Sequence, residues 1–180
     1  MEKSQRLEGL INEFFEITRY NLQQLPLDRE PVDLSYLLVQ LTDEFYPILQ
    51  AHGNTAELNA PETLTVSGDS AKLARVFNNI LKNAVAYSDR DTPIRIRAEE
   101  AEGQVSVFVE NQGRTIPPQK LESIFEKFFR LDEARATATG GAGLGLAIAK
   151  EIVTLHGGTI TAQSQNRRTI FRVTLPSEQS

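Results

Sequence analysis

Cysteine is absent from the 180-residue chain. Disulfides and cysteine-based zinc sites are thereby excluded, and a reducing cytosol is a compatible compartment. An excess of positive charge is also lacking. Twenty-four acidic residues against 19 basic ones leave a net charge of −5, with a pI near 5.2, so no global field draws the chain to nucleic acid. No apolar run approaches the roughly 18 residues that a membrane helix requires. The opening residues, MEKSQRLEGL, contain no signal-peptide core. Histidine occurs only at positions 52 and 156. These absences point to a soluble cytosolic piece, with a membrane segment upstream left open. What is present, 40% hydrophobic and 24% charged residues, suits one compact domain with a short appendage.

Apolar periodicity predicts a helix over about 3–25, with Leu7, Leu10, Ile11, Phe14, Ile17 and Leu22 on one stripe. Phe15 and Tyr20 lie off that stripe. The helix therefore has either two buried faces, as in a bundle or dimer, or one face packed on the domain. Pro26 ends it. Asp33 is placed to cap a helix over 34–50, with Pro47 bending or shortening its end and AHGN (51–54) as a loop. Strands are expected at 55–59 and 63–67, then a helix from Asp69 to about Tyr87. Two alternating strands follow, with Ile94, Ile96 and Ala98 facing the side that Val105, Val107 and Val109 face, across a turn at Gly103. The polar turn NQGRTIPPQ precedes a short helix over 120–129. Residues 130–143 lack periodicity and read as a mobile loop. A helix from Gly143 to about His156, stopped by Gly157 and Gly158, and two final strands complete the order. It specifies an α+β, two-layer sandwich: a mostly antiparallel sheet with helices on one face.

The run GGAGLGLAIAKE (140–151) has the look of a phosphate-binding loop opening a helix. It is not directly preceded by a strand, as a dinucleotide-binding loop would be, and it lacks the lysine of a P-loop. On the preceding helix Asn79, Asn83 and Tyr87 recur at i, i+4 and i+8 and share a face. Asparagine is a poor helix former. The pair can be read as hydrogen-bonding core residues, or as amide oxygens suited to Mg²⁺.

Taken in order, NNILKNAVAYS (78–88), VENQGRTIP (109–117), IFEKFFR (124–130) and GGAGLGLAIAKEIVTLHGG (140–158) resemble the N, G1, F and G2 boxes of the ATP-binding domain of sensor histidine kinases. That domain has the Bergerat ATPase fold shared with gyrase, Hsp90 and MutL. The run from Ile124 to Ile152 is most similar to the vancomycin-resistance sensor kinases, the VanS group. The resemblance covers roughly residues 29–176. It implies ATP and Mg²⁺ as cofactors and transfer of the γ-phosphoryl group to a histidine, for relay to a response regulator. It implies an ATP site of Asn79, Asn83, Tyr87, Asn111, Gly113, Ile116, Arg130, Gly141, Gly143, Leu144, Gly145 and Leu146, with Asn83 the Mg²⁺ ligand, Tyr87 stacked on adenine, and Asn79 and the lid arginine Arg130 catalytic. Lys82 and Arg135 are further cations near this set, Phe125 and Phe128 anchors for the lid, and Leu144 and Leu146 also fit as packing residues. Asn79 stands where water-hydrolysing relatives have a glutamate base. An amide takes no proton at neutral pH, which favours transfer over hydrolysis and opposes an ATPase or serine-kinase reading.

Four positions depart from the family pattern. Asn111 replaces the adenine-binding aspartate of the G1 box, and Thr115 its second glycine. Ala86 stands where many relatives carry a phosphate-contacting lysine. Ile170 precedes Phe171 where a threonine is common, with Thr169 displaced by one, so its adenine contact is not carried over. An amide accepts from the adenine amino group without the charge-assisted strength of a carboxylate. Adenine binding is therefore expected to be weaker or less selective than in an aspartate homologue. The departures keep a degenerate nucleotide- or protein-binding module as the alternative.

Neither His52 nor His156 has the acidic-basic-Thr-Pro context of a phosphoacceptor. Both are expected to be exposed or capping residues. Residues 1–26 accordingly resemble the second helix of a dimerisation domain, and 27–180 the catalytic domain. The chain is expected to bind ATP without labelling itself. The parent protein implied by the resemblance is a homodimeric membrane sensor with this domain in the cytoplasm.

Overall fold

The computed structural model describes residues 3–12, 27–126 and 144–178. Residues 3–12 are helical (α1); the rest of the expected first helix lies outside the described residues, as do Phe128, Arg130, Arg135, Gly141 and Gly143. In α1, Leu7 and Ile11 are exposed and Leu10 packs partly against the core.

Strand β1 (Glu30–Asp33), which the sequence pattern did not reveal, pairs antiparallel with β3 (Thr65–Gly68). Asp33 then starts α2 (Leu34–His52). Its carboxylate accepts from the N–H of Ser35 at 3.0 Å and from that of Leu64 at 3.1 Å, so one cap ties the helix to the small sheet. Pro47 does not shorten the helix; α2 runs through it to His52, and the AHGN loop begins only at Gly53. Pro47 is on the exposed face. The carbonyl that its missing N–H leaves without a helical partner can be satisfied there by water. Gly53, with φ of 78°, closes the helix in the left-handed region.

The main sheet has the order β2-β4-β5-β7-β6. Strands β2 (Thr55–Asn59) and β4 (Pro93–Ala101) are parallel; β5 (Gln104–Gln112), β7 (Arg168–Pro176) and β6 (Thr159–Gln165) continue antiparallel. Alternation behaves as expected: Ile94, Ile96, Val105, Val107, Val109, Phe171, Val173 and Leu175 are buried on one face. That face receives Leu38, Leu41 and Phe45 of α2, Leu73, Phe77 and Ile80 of α3 (Ser70–Tyr87), and Ile148 and Ile152 of α4 (Gly145–Leu155). Each such side chain contributes about 1.5–3 kcal/mol on burial. The predicted helix over 120–129 is instead two 3₁₀ turns, Pro118–Lys120 and Ser123–Phe125, as far as the described residues extend. Among its described residues, only Ile124 and Phe125 are buried.

His156 is the C-cap of α4, as the capping reading expects, and it is buried rather than exposed. Its Nε2 accepts from the Asp69 N–H at 3.0 Å and its Nδ1 donates to the Ile152 carbonyl at 2.8 Å. It thereby joins the end of α4 to the cap of α3. His52, half-buried as the last residue of α2, contacts the Asn54 side chain through Nδ1 at 2.6 Å.

Candidate nucleotide site

The helix α3 begins at Asp69, whose carboxylate accepts from the Lys72 N–H at 3.2 Å and the Lys72 ammonium at 3.0 Å. Burial pulls this carboxyl upward, but hydrogen bonds from Lys72 and from the Asp28 N–H hold it below the usual carboxylate value. The capped start sets the helix phase. Leu73, Phe77, Ile80 and Ala84 go into the core, while Asn79, Asn83 and Tyr87 form a half-buried stripe beside it. Ala86 is half-buried and Lys82 exposed.

The Asn79 amide donates to the Gly145 carbonyl at 3.0 Å, joining the stripe to the start of α4. Among the described residues no side chain caps the first turn of α4, so its N–H groups and the positive end of its dipole are directed to whatever lies before the helix. Leu144 is fully buried and Leu146 half-buried. The Leu144 side chain is therefore a packing residue.

The other end of the stripe meets the end of β5. Asn111 is buried on the inner face, in phase with Val105, Val107 and Val109. Thr169 of β7 lies directly opposite it, and Ser164 of β6 opposite Thr169, so a polar row crosses the sheet at this level. Thr169 is buried, with its hydroxyl 2.8 Å from that of Ser164. The Ser164 hydroxyl also accepts the Ile116 N–H at 2.8 Å. Thr169 was thus legible by parity with Phe171, although a linear comparison displaces it by one residue. The Asp89 N–H donates to the Gln112 carbonyl at 2.7 Å. At Gly113 the backbone lies so close that a Cβ would overlap the Tyr87 carbonyl oxygen, which is why the position requires glycine. Phe125 is buried edge-on against Phe171, with ring centroids 6.2 Å apart, and anchors the segment leading to 127–143.

The structure therefore brings Asn79, Asn83, Tyr87, Asn111, Gly113, Ile116 and Gly145 around one region between α3, α4 and the end of the sheet. An open cleft of about 460 Å³ is lined by Asp89, Arg95, Gln112, Asn166, Arg167 and Arg168, and its Asp89, Gln112 and Arg167 adjoin Gly113. Its arginines are each paired with a carboxylate, Arg95 with Glu57, Arg167 with Asp89 and Arg168 with Glu110, so it carries no unbalanced charge for an anion.

A mixed sheet covered on one face, with an asparagine stripe beside a helix start that no described side chain caps, is an arrangement suited to a nucleotide-binding ATPase domain. Residues 68–179 match the histidine kinase-, DNA gyrase B-, and HSP90-like ATPase family, and the chain belongs to that family. It is 60% identical over 177 residues to the sensor protein VanS of Enterococcus faecium and 46% identical over 176 residues to the sensor protein VanSC of Enterococcus gallinarum, in each case over 98% of this chain. It spans 46% and 48% of those proteins. The mycobacterial sensor histidine kinase MprB is similar in structure, with a TM-score of 0.72 and 28% identity over 84% of this chain and 99% of that one. This is a histidine kinase ATPase domain, and its family implies that it binds ATP.

Proposed function

We propose that the domain transfers the γ-phosphoryl group of ATP to a histidine on a dimerisation domain, for relay to a response regulator in a sensor system of the glycopeptide-resistance type. The observation that carries this reading is the Asn79–Gly145 hydrogen bond, which links the asparagine stripe to the start of α4. Phosphoryl transfer needs positioning and charge neutralisation more than covalent chemistry, and this linkage joins the elements that would supply both. Backbone N–H groups of the first turn of α4 would receive phosphate oxygens. Asn111 would accept from the adenine amino group, and Tyr87 would cover the ring.

The residues also fit Mg²⁺. Asn83, half-buried on the asparagine stripe, would offer a neutral hard oxygen. Such an ion would take its other ligands from phosphates and water and would supply charge neutralisation. Arg130 would add a lid cation. Residues 1–26 would belong to a dimerisation domain pairing two copies, and the parent would be a membrane sensor with this domain in the cytoplasm. Within the described residues no helix is long and apolar enough to cross a membrane.

Calorimetric titration of ATP with and without Mg²⁺ tests this. Wild-type chain should bind more tightly with Mg²⁺, and Asn83→Ala should lose most of that gain. Binding insensitive to Mg²⁺ in both would reject the assignment.

A further inference from the structure

The backbone between Gly113 and Pro117 has no regular structure, yet it adjoins Asn111 and contains Ile116. It is held by the β6–β7 hairpin. The Gly113 N–H donates to the Arg167 carbonyl at 2.9 Å. The Arg167 N–H donates to the Thr115 hydroxyl at 2.8 Å. The Ile116 N–H donates to Ser164, as described above. Arg167 also reaches out with its guanidinium, which donates to the Asp89 carboxylate at 2.7 Å. Asp89 follows the end of α3 and is tied to Gln112 through its own N–H. Asn166 and Arg167 both have left-handed backbone, with φ of 53° and 61°, the pair of conformations a two-residue hairpin turn requires. Neither is glycine. That conformation directs both the N–H and the carbonyl of Arg167 at the 113–115 segment.

We propose that the Asn166–Arg167 turn is a positioning element for the nucleotide base, acting through the Thr115 hydroxyl to hold the 113–116 segment in its binding form before nucleotide arrives. Thr115 is the side chain that makes the connection; a glycine at this position has no side-chain atom to accept the Arg167 N–H. Ordering a loop opposes binding, and a segment ordered in the free protein escapes that cost on association. The Arg167–Asp89 ion pair is more than 40% exposed on both sides and carries little of the effect, because exposed pairs are screened. The weight falls on the hydroxyl.

The proposal rests on the ATP-binding reading, and its test separates the two. Titration of Mg·ATP into Thr115→Val should give a Kd about 3- to 10-fold above wild type, the range expected for one neutral hydrogen bond. Thr115→Ser, which keeps the hydroxyl, should stay within about twofold. In the nucleotide-free proteins, amide exchange at Arg167 and Ile116 should accelerate in Thr115→Val and not in Thr115→Ser. Thr115→Gly serves as the second deletion if the valine variant folds poorly. Equal affinities of wild type, Thr115→Val and Thr115→Gly would overturn the positioning role while leaving ATP binding intact. Equal losses in Thr115→Ser and Thr115→Val would also overturn it. Absence of Mg·ATP binding by wild type would overturn the function itself.

Discussion

At the scale of the residue, the proposed base recognition turns on the end of β5. Asn111 is buried on the inner face with Thr169 opposite it, so its amide would meet a base in a poorly hydrated place where the difference between amide and carboxylate is felt. Asn111→Asp is expected to tighten ATP by about 3- to 10-fold, the difference between a neutral and a charge-assisted hydrogen bond. It should also sharpen selection against GTP, because the amide can present a donor to guanine and the carboxylate cannot. Competition of GTP against a fluorescent ATP analogue measures both effects; identical profiles for the two proteins would reject this account of Asn111. Strand alternation made the inward direction of Asn111 legible, and the same parity applies to Thr169. Arg167 was not legible. Its two links to the 113–115 segment come from backbone atoms in a left-handed conformation, and an Asn-Arg pair does not advertise that turn as Asn-Gly would.

At the scale of the element, α4 is fastened at both ends. Its start is held by Asn79, and its end by His156 and by Arg29, whose guanidinium donates to the Ser67 and Leu155 carbonyls. Burial is the main force lowering the His156 pKa. Its hydrogen bond to Ile152 and the Asp69 charge oppose the fall, while Arg29 and Lys72 assist it. The folded protein thus favours neutral imidazole more than the unfolded chain does. The stability gained is complete above the ordinary value of 6.5 and is lost as pH falls from there through the lowered folded value. Asp69 has the same sign at lower pH, since its folded value is below the ordinary 3.8. Unfolding temperature should therefore decline between pH 7.5 and pH 5. His156→Gln should be destabilised by about 1–3 kcal/mol at pH 7.5, because the buried Asp69 N–H loses a well-placed acceptor. It should also show a flatter profile across that range. An unchanged slope would assign the acid sensitivity elsewhere. The element boundaries teach a related point: Asp33 and Asp69 announced their helices because a cap is a local bond, whereas Pro47, on the exposed face, did not mark the end of its helix.

At the scale of the whole molecule, the buried core runs from Val32 to Leu175. Of the described residues before 27, only Leu10 packs against it. A chain beginning at residue 27 should therefore keep its Mg·ATP affinity within about twofold and lose no more than about 1–2 kcal/mol, the worth of a partly buried leucine. Unfolding larger than that, followed by calorimetry, would place the domain boundary further upstream.

The sequence by itself determined the helix phases, the inward faces of the strands, the fold class and the ordered boxes that mark the ATPase family, because these depend on periodicity and local spacing. Only the tertiary structure decided the rest. It paired β1 with β3, made His156 a buried acceptor between two helices, and set Gly113 against Tyr87. It also hung the 113–116 segment on the β6–β7 hairpin. Those contacts join residues tens of positions apart through backbone groups, and backbone groups are the same in every sequence until the fold selects which of them meet.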